Sequence, residues 1–499
     1  MVTQLPVPAP RAVGSADDDE AKAIALELNR RAAANAIYAN NQKDLPAGRH
    51  TAWRLSPEPY ALSAARVAEI QALGDHLLAF QLAANKLYFE SVKGRQPAWV
   101  HQLLDQGKPE ALIEYQRMNR FKQAIPRVIR PDLVIDEEGQ LSACELDSIP
   151  GGIGMTGSMS FDYGALGYGL VGGSDGLVEG FATMIRDVAG AGARGEGAAG
   201  EAADPVLAIV VSEESTDYML EQRWVGDQLT ARGLATTVVR PGELRYDGER
   251  FHAPFPDGQE RAIDVLYRFY ELFDLKNIPK AELVQYANKK GQLVVTPPYK
   301  AFLEEKLVFA LYHHGGLRPF WKAELPAEAL AALDKLLPRT WIVDPTPLPP
   351  QAAIPGLAVE GVPLHDWLDL AKAAKRDRAY VLKPSGFSSL AWGSHGVHFG
   401  HDLSTPDWEQ ALRVAKDSFA TTPYILQEFK KPERTGVRYY DFRRDAIMKM
   451  EGRARLCPYF FVAGGKAELH GILATICPLD KLAIHGMTDA VMVPTAVAG

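Results

Sequence analysis

The stretch RPDLVIDEEGQLSACELDSIPGG, residues 130–152, changes the rhythm of the chain. Before it, apolar residues recur every three or four positions; within it they alternate on either side of a Glu-Glu-Gly turn. The pattern predicts a β-hairpin with strands over 133–136 and 141–146. On the second strand Glu145 and Asp147 lie two apart and share a face, and Asp132 begins the partner strand. Carboxylates gathered in this way suit a hard cation held against phosphates, the plainer alternative being a solvated polar sheet face.

On the N-terminal side, residues 1–20 are rich in Pro, Ala and Asp and predict a disordered leader. Residues 21–125 predict a helical region, with helical spacing over 21–38 and 62–92 and Val67, Ile70, Leu73, Leu77 and Leu78 on one face. After the hairpin, glycine becomes dense, which predicts loop or closely packed backbone. Gly152 to Gly157 spell G-x-G-x-x-G, yet GSMSFDYGALGYG, residues 157–169, makes a poor helix, and no acidic residue ends a second strand. A dinucleotide fold is therefore not expected.

Residues 189–204, AGAGARGEGAAGEAAD, lack periodicity and predict a linker. Beyond it, strands over 206–211, 236–239, 264–267 and 292–296 alternate with helices over 215–232 and 280–290. Residues 205–298 therefore predict a small α/β domain with a largely parallel sheet. Residues 299–499 begin with helices over 301–314 and 327–337, then turn to strands: YVLKP, YILQEF, CPYFFVAGG and AELHGILATIC.

The 499 residues are 47% apolar and 23% charged, a globular balance that excludes wholesale disorder and fibrous architectures. No run approaches a membrane span, and the start MVTQLPVPAP has neither the basic nor the apolar region of a secretory signal. Three cysteines without a CxxC pair fit a reducing compartment, so a cytoplasmic location is expected. A formal net charge of -8 argues against a nucleic-acid coat. Residues 430–455 run the other way, nine basic side chains against four acidic ones, and read as a local grip on an anion or as a solvated basic face.

In YVLKPSGFSSLAWGSHGV, residues 380–397, a strand delivers Lys383 to a loop of Ser and Gly whose N–H groups suit phosphate oxygens. No GxxxxGK[ST] occurs, which excludes a P-loop. His395, His398 and His401 straddle loop and strand, where loop hydrogen bonding fits them better than a metal.

Taken in order, the residue 130–152 stretch, FLEEKLVFALYHH (302–314), LPRTWIV (337–343), YVLKPSGFSSLAWGSHGV, YILQEF (424–429) and GRARLCPYFF (452–461) resemble the ATP-grasp superfamily. The arrangement is similar to the circularly permuted one of glutathionylspermidine-synthase-like carboxylate-amine ligases, over residues 125–180 and 260–499. The resemblance implies an α/β and α+β chain with an N-terminal helical layer. A permuted ATP-grasp domain would be shared between 126–188, which carries the metal-binding hairpin, and 299–499, with 205–298 as its small α/β companion.

It further implies ATP and Mg²⁺ as cofactors, with Lys306 and Lys383 on the phosphates. Ser385, Gly386, Ser388, Ser389 and Gly396 would belong to a lid over 385–396, and Gln427, Glu428 and Phe429 would form the hinge at adenine and ribose. Asp132, Glu145 and Asp147 would be the magnesium ligands, Asp147 standing where the family usually has Asn. Arg130 would stabilise an acyl phosphate, and Arg453 and Arg455 would hold the γ-phosphate or a substrate carboxylate. The implied activity joins a small-molecule or peptide carboxylate to an amine at the cost of ATP, with no nucleic-acid or membrane partner. The alternative is a nucleotide-binding protein of this fold without ligase turnover, a regulator or partner subunit.

Overall fold

The hairpin forms as Val128–Ile135 and Leu141–Asp147, with Arg130 opposite Asp147 and Asp132 opposite Glu145. A computed structural model describes residues 10–35, 37–38, 45–193, 204–391, 396–481 and 483–498. The expectations for residues 1–9 of the leader, 194–203 of the linker and 392–395 of the lid lie outside those.

The hairpin is one edge of a seven-stranded sheet that draws on both ends of the chain. Its order runs Tyr60–Leu62, Val491–Val497, Lys466–Pro478, Ala446–Ala463, Val128–Ile135 and Leu141–Asp147, with Arg434–Asp441 also paired to Ala446–Ala463. All pairings are antiparallel except that of Tyr60–Leu62 with Val491–Val497.

The long helix Ala64–Val92 starts at Ser63, whose hydroxyl accepts from the Arg66 N–H at 3.2 Å, and buries Val67, Ile70, Leu73, Leu77 and Leu78 as its spacing predicts. It lies so close to the sheet that a Cβ on Gly74 would stand 2.1 Å from the Ala467 carbonyl oxygen. Phe80, further along, stacks on Trp321 with ring centres 5.5 Å apart. The preceding helix, Asp18–Ala34, begins inside the expected leader, and the Arg11 N–H donates to the Gly167 carbonyl at 2.9 Å, so residues 10–20 are packed rather than free.

A second sheet, Val294–Thr296, Val265–Phe269, Leu207–Val211 and Thr236–Val239, is parallel throughout, as expected for this segment. Successive side chains of Leu207–Val211 enter different cores: Leu207, Ile209 and Val211 pack with the central sheet's core, Ala208 and Val210 with a separate one. A third, antiparallel sheet orders Thr340–Ile342, Tyr424–Glu428, Tyr380–Pro384 and His398–Phe399, backed by the helix Thr405–Asp417, which the sequence reading did not anticipate.

Two expectations are corrected. The glycine-dense segment after the hairpin is loop only over 166–175: residues 153–165 form the helix Ile153–Ala165, and beyond it the helix Gly176–Ala193 takes residues 189–193 of the expected linker. The segment's glycines serve approach: a Cβ on Gly154 would lie 2.5 Å from the Glu221 carbonyl oxygen, and one on Gly157 2.9 Å from the Trp224 ring. Tertiary packing thus outweighs glycine's cost in a helix, roughly 1 kcal/mol per residue. The helix expected over 301–314 is broken into Ala301–Leu303 and Leu307–His313, which places Glu305 and Lys306 at the start of the second piece. No helix among the described residues is long and apolar enough to cross a membrane.

The helix Ile153–Ala165 starts at Gly152, whose φ of 91° only glycine adopts readily. Its first N–H groups are met by Glu221 from the helix Met219–Ala231: Gly152 and Gly154 donate to one carboxylate oxygen at 2.6 and 3.2 Å. Burial nevertheless pushes the Glu221 carboxyl up to about 7, the helix-start amides opposing it.

Two outcomes are expected. Gly74→Ala must part the helix from the sheet and should lower stability by about 1–3 kcal/mol, read by denaturant unfolding. Glu221 has a folded pKa above its unfolded one, so its stabilising contribution is complete near pH 4.5 and lost as pH rises through 7. Glu221→Gln should therefore match the wild type near pH 5 and exceed it by about 2–3 kcal/mol at pH 8. A pH-independent difference in thermal melts would refute this.

Candidate functional site

Alternation along the hairpin and along Ala446–Ala463 puts Arg130, Asp132, Glu145, Asp147, Arg455 and Cys457 on one face of the central sheet. Arg130 Nη2 lies 3.1 Å from Asp132 Oδ1 and 2.9 Å from Asp147 Oδ2, while its Nη1 donates to the Gly151 carbonyl at 3.2 Å. Arg455 Nη1 meets the other oxygen of Asp132 at 2.9 Å, and the Cys457 thiol leans on Asp132 Oδ1 at 3.4 Å. Burial works against the Asp132 charge, yet Arg130 and Arg455 outweigh it and hold this carboxyl below the usual range. In Asp147 burial wins over Arg130, and the carboxyl is raised.

The third sheet closes over the hairpin's outer strand. Lys383 donates to the Cys144 carbonyl at 3.0 Å and to Gln427 Oε1 at 2.9 Å; Gln427 is oriented in turn by Thr340 at 3.3 Å. Lys306, at the start of Leu307–His313, sits 2.7 Å from Glu145 Oε1 and donates to the Ala391 carbonyl at 2.8 Å. Burial alone would lower the Lys306 ammonium, but the Glu145 carboxylate more than compensates and raises it. A cavity of about 20 Å³ runs between these groups and the long helix, lined by Phe80, Gln81, Cys144, Glu145, Lys306 and Ile425. A larger cavity, about 370 Å³, lies away from this chemistry; its Glu58 and Arg438 pair with each other at 3.0 Å.

The structure brings together Arg130, Asp132, Glu145, Asp147, Lys306, Lys383, Gln427 and Arg455, residues drawn from three parts of the sequence. Others stand apart. Arg453, two residues before Arg455, donates to the Leu479 carbonyl at 3.0 Å, just past the neighbouring strand Lys466–Pro478. Glu428 and Phe429 spend their N–H groups on the Arg339 and Ala379 carbonyls, both at 2.9 Å, and the Phe429 ring packs on His401. Ser385 is fully buried, its hydroxyl given to Glu305, and Gly386 abuts the Glu304 carbonyl, where a Cβ would stand 2.9 Å away. Ser388 caps its own turn through Leu390 N–H at 3.2 Å, Ser389 is exposed, and Gly396 N–H closes the loop on the Leu390 carbonyl at 3.1 Å.

The basic residues 430–455 do not form one grip. Alternation disperses them: Lys431 pairs with Glu137 and Arg438 with Glu58, while Arg455 alone of them bonds to a carboxylate of the site. The sequence reading also missed Lys108, Glu271, Glu304 and Glu305. Burial raises the Glu271 carboxyl, and the charges of Glu304 and Asp147 add to it. Nothing in the local pattern around Lys108 marks it, since its partner lies 197 positions away.

Magnesium, implied by the resemblance, needs oxygen donors with room for water and phosphate around them. Among the described residues no three His, Cys, Asp or Glu side chains are grouped to hold a metal ion. Glu145 and Asp147 still fit: they are oxygen donors on one strand face, with side chains 36% and 30% exposed, and Mg²⁺ commonly takes one or two carboxylates and completes its shell with phosphates and water. Asp132, 10% exposed and with an arginine on each oxygen, offers no such freedom; Asp147 holds Arg130 on one oxygen and the Ile149 N–H on the other but is the more exposed.

No protein-family model matches the chain. No curated protein does either. Among solved structures, a glutathione synthetase-like effector from Globodera pallida in its apo form aligns over 97% of this chain and 98% of its own, with TM-score 0.55 and 14% identity. A candidate gamma-glutamylcysteine synthetase from Methylobacillus flagellatus KT aligns over 87% of each chain with TM-score 0.39 and 12% identity, too remote to bear on the fold. The mixed α/β architecture built around the hairpin is thus similar, along nearly its whole length, to that of a glutathione synthetase-like protein.

Proposed function

We propose that this chain is an ATP-dependent ligase of the circularly permuted ATP-grasp type, which activates a carboxylate as an acyl phosphate and joins it to an amine. One observation carries the reading. Two lysines from separate elements, Lys306 and Lys383, arrive at consecutive residues of one strand, Glu145 and Cys144, beside the sheet face that carries Arg130 and Arg455. Cations from independent elements converge in this way where a polyanion is to be held. The likeness to a glutathione synthetase-like fold supports it.

In the proposed reaction a substrate carboxylate oxygen attacks the γ-phosphorus and the bond to ADP breaks. The amine nitrogen then attacks the acyl carbon, loses a proton and expels phosphate. Phosphoryl transfer asks for placement and charge balance rather than covalent help. Lys306 and Lys383 supply the balance at the phosphates. Arg130, Arg453 and Arg455 each keep a buried Nε–H without a partner among the described residues, and those of Arg130 and Arg455 are assigned to negative charge developing on the acyl phosphate and the tetrahedral intermediate. Asp132 holds both guanidinium groups in place. Glu145 and Asp147 would hold Mg²⁺, which when bound offsets the charge of the phosphates.

A nucleotide-binding protein without turnover is the second reading, favoured by the internal partners that Lys306, Lys383 and Arg130 already possess. Release of ADP and phosphate from ATP in the presence of pooled carboxylates and amines separates the two. Absence of release alongside ATP binding would sink the ligase.

Lys306→Ala and Lys383→Ala should each weaken binding of a non-hydrolysable ATP analogue by about 1.5–3 kcal/mol in calorimetry, each removing a charge-assisted contact. Unchanged affinity in both would remove the nucleotide site from this cleft. Glu145→Gln with Asp147→Asn should abolish magnesium-dependent turnover and leave a cooperative melt, because amides are poor ligands for a hard cation. Turnover retained at ordinary magnesium would place the metal on other groups.

A further inference from the structure

The two lysines of the proposed site come from elements that share no strand pairing, yet one buried contact ties them together. Glu305 immediately precedes Lys306, and Ser385 follows Lys383 by two residues. The Ser385 hydroxyl donates to Glu305 Oε2 and accepts from the Leu307 N–H at 3.1 Å, so the end of Tyr380–Pro384 is fastened to the start of Leu307–His313. Lys108, from the distant helical region, pairs with the other Glu305 oxygen. The Lys108 and Glu305 side chains are each only 1% exposed, and Ser385 is wholly buried.

The surroundings leave this arrangement little slack. A Cβ on Gly386 would lie 3.2 Å from the Glu305 carboxyl carbon, and Phe387 holds a φ of 53° with its ring 5.5 Å from Lys108 Nζ. Behind Lys108, Gly107 has a φ of 74°, and a Cβ there would stand 2.2 Å from the Thr421 carbonyl oxygen. A buried ion pair is a weak device for stability, since its desolvation offsets most of the attraction. Its worth is directional: Glu305 can satisfy Lys108 and Ser385 together only if the two lysine-bearing elements keep one separation.

Resting on the nucleotide reading above, we propose that Glu305, charge-balanced by Lys108, is a positioning residue that sets the spacing of Lys306 and Lys383 for a nucleoside polyphosphate. It touches no substrate itself. It acts through Ser385 on one lysine and through the chain on the other.

The test uses the full chain and two variants. Lys108→Met with Glu305→Leu removes both charges, so the fold is kept while Ser385 loses its acceptor. Glu305→Gln keeps an amide oxygen for Ser385 but leaves Lys108 without its counter-charge; if it does not fold, the double variant decides alone. The probes are a non-hydrolysable ATP analogue with Mg²⁺ and adenosine, titrated by calorimetry beside a thermal melt. The double variant is expected to melt near the wild type, to bind the ATP analogue about tenfold more weakly, and to bind adenosine as before, because only the phosphates read the lysine spacing. Equal weakening for both probes would mean a general structural role and overturn the proposal, as would undiminished affinity for the analogue. A folded wild type that ignores the analogue would instead overturn the nucleotide reading, and this inference with it.

Discussion

Arg130, Asp132, Asp147 and Arg455 share one face of the central sheet, and the energetics of burial require them to stay together. A guanidinium or carboxylate withdrawn from water without its partner costs several kilocalories per mole, so Arg130 and Asp132, with side chains 14% and 10% exposed, are tolerable only while they keep each other. Arg130 sits at the junction, reaching Asp132, Asp147 and the Gly151 carbonyl at 3.1, 2.9 and 3.2 Å. Its bonds define the hairpin's register and the exit of the chain toward Gly152. From there Glu221 receives the first amides of Ile153–Ala165, which ties the parallel sheet's layer to the hairpin.

The same charges shape what the cleft can accept. In this state Lys306 is matched by Glu145, Lys383 by Gln427 and the Cys144 carbonyl, and Arg130 by two carboxylates. A polyphosphate entering alone would meet Glu145 and Asp147 as repelling charges, and a divalent cation entering alone would meet Lys306. On the proposed function, the two arriving together would each take one partner of an existing pair, the anion Lys306 and the cation Glu145.

Glycine has a second role that its abundance alone conceals. At Gly152 the need is conformational, a left-handed turn into a helix. At Gly74, Gly154 and Gly157 the need is room, since a Cβ would collide with the Ala467 carbonyl, the Glu221 backbone or the Trp224 ring. Local pattern reads helix through Gly74 but loop at Gly154 and Gly157, and all three lie inside helices.

Much of the architecture was legible in local pattern. Period-two alternation identified the hairpin, apolar segments alternating with helices identified the parallel strands, helical spacing identified the buried stripe of Ala64–Val92, and side-chain parity put Glu145 and Asp147 on one face. These are properties of neighbouring residues, and backbone geometry enforces them wherever the segment lies. Tertiary structure decided the rest. It broke the helix before Leu307, took Asp132 for two arginines, scattered the basic run of 430–455 and brought Lys108 to Glu305. Apart from the neighbouring Arg130–Asp132 contact, those outcomes balance charge and volume between residues far apart in the chain, and no periodicity records who the partner will be.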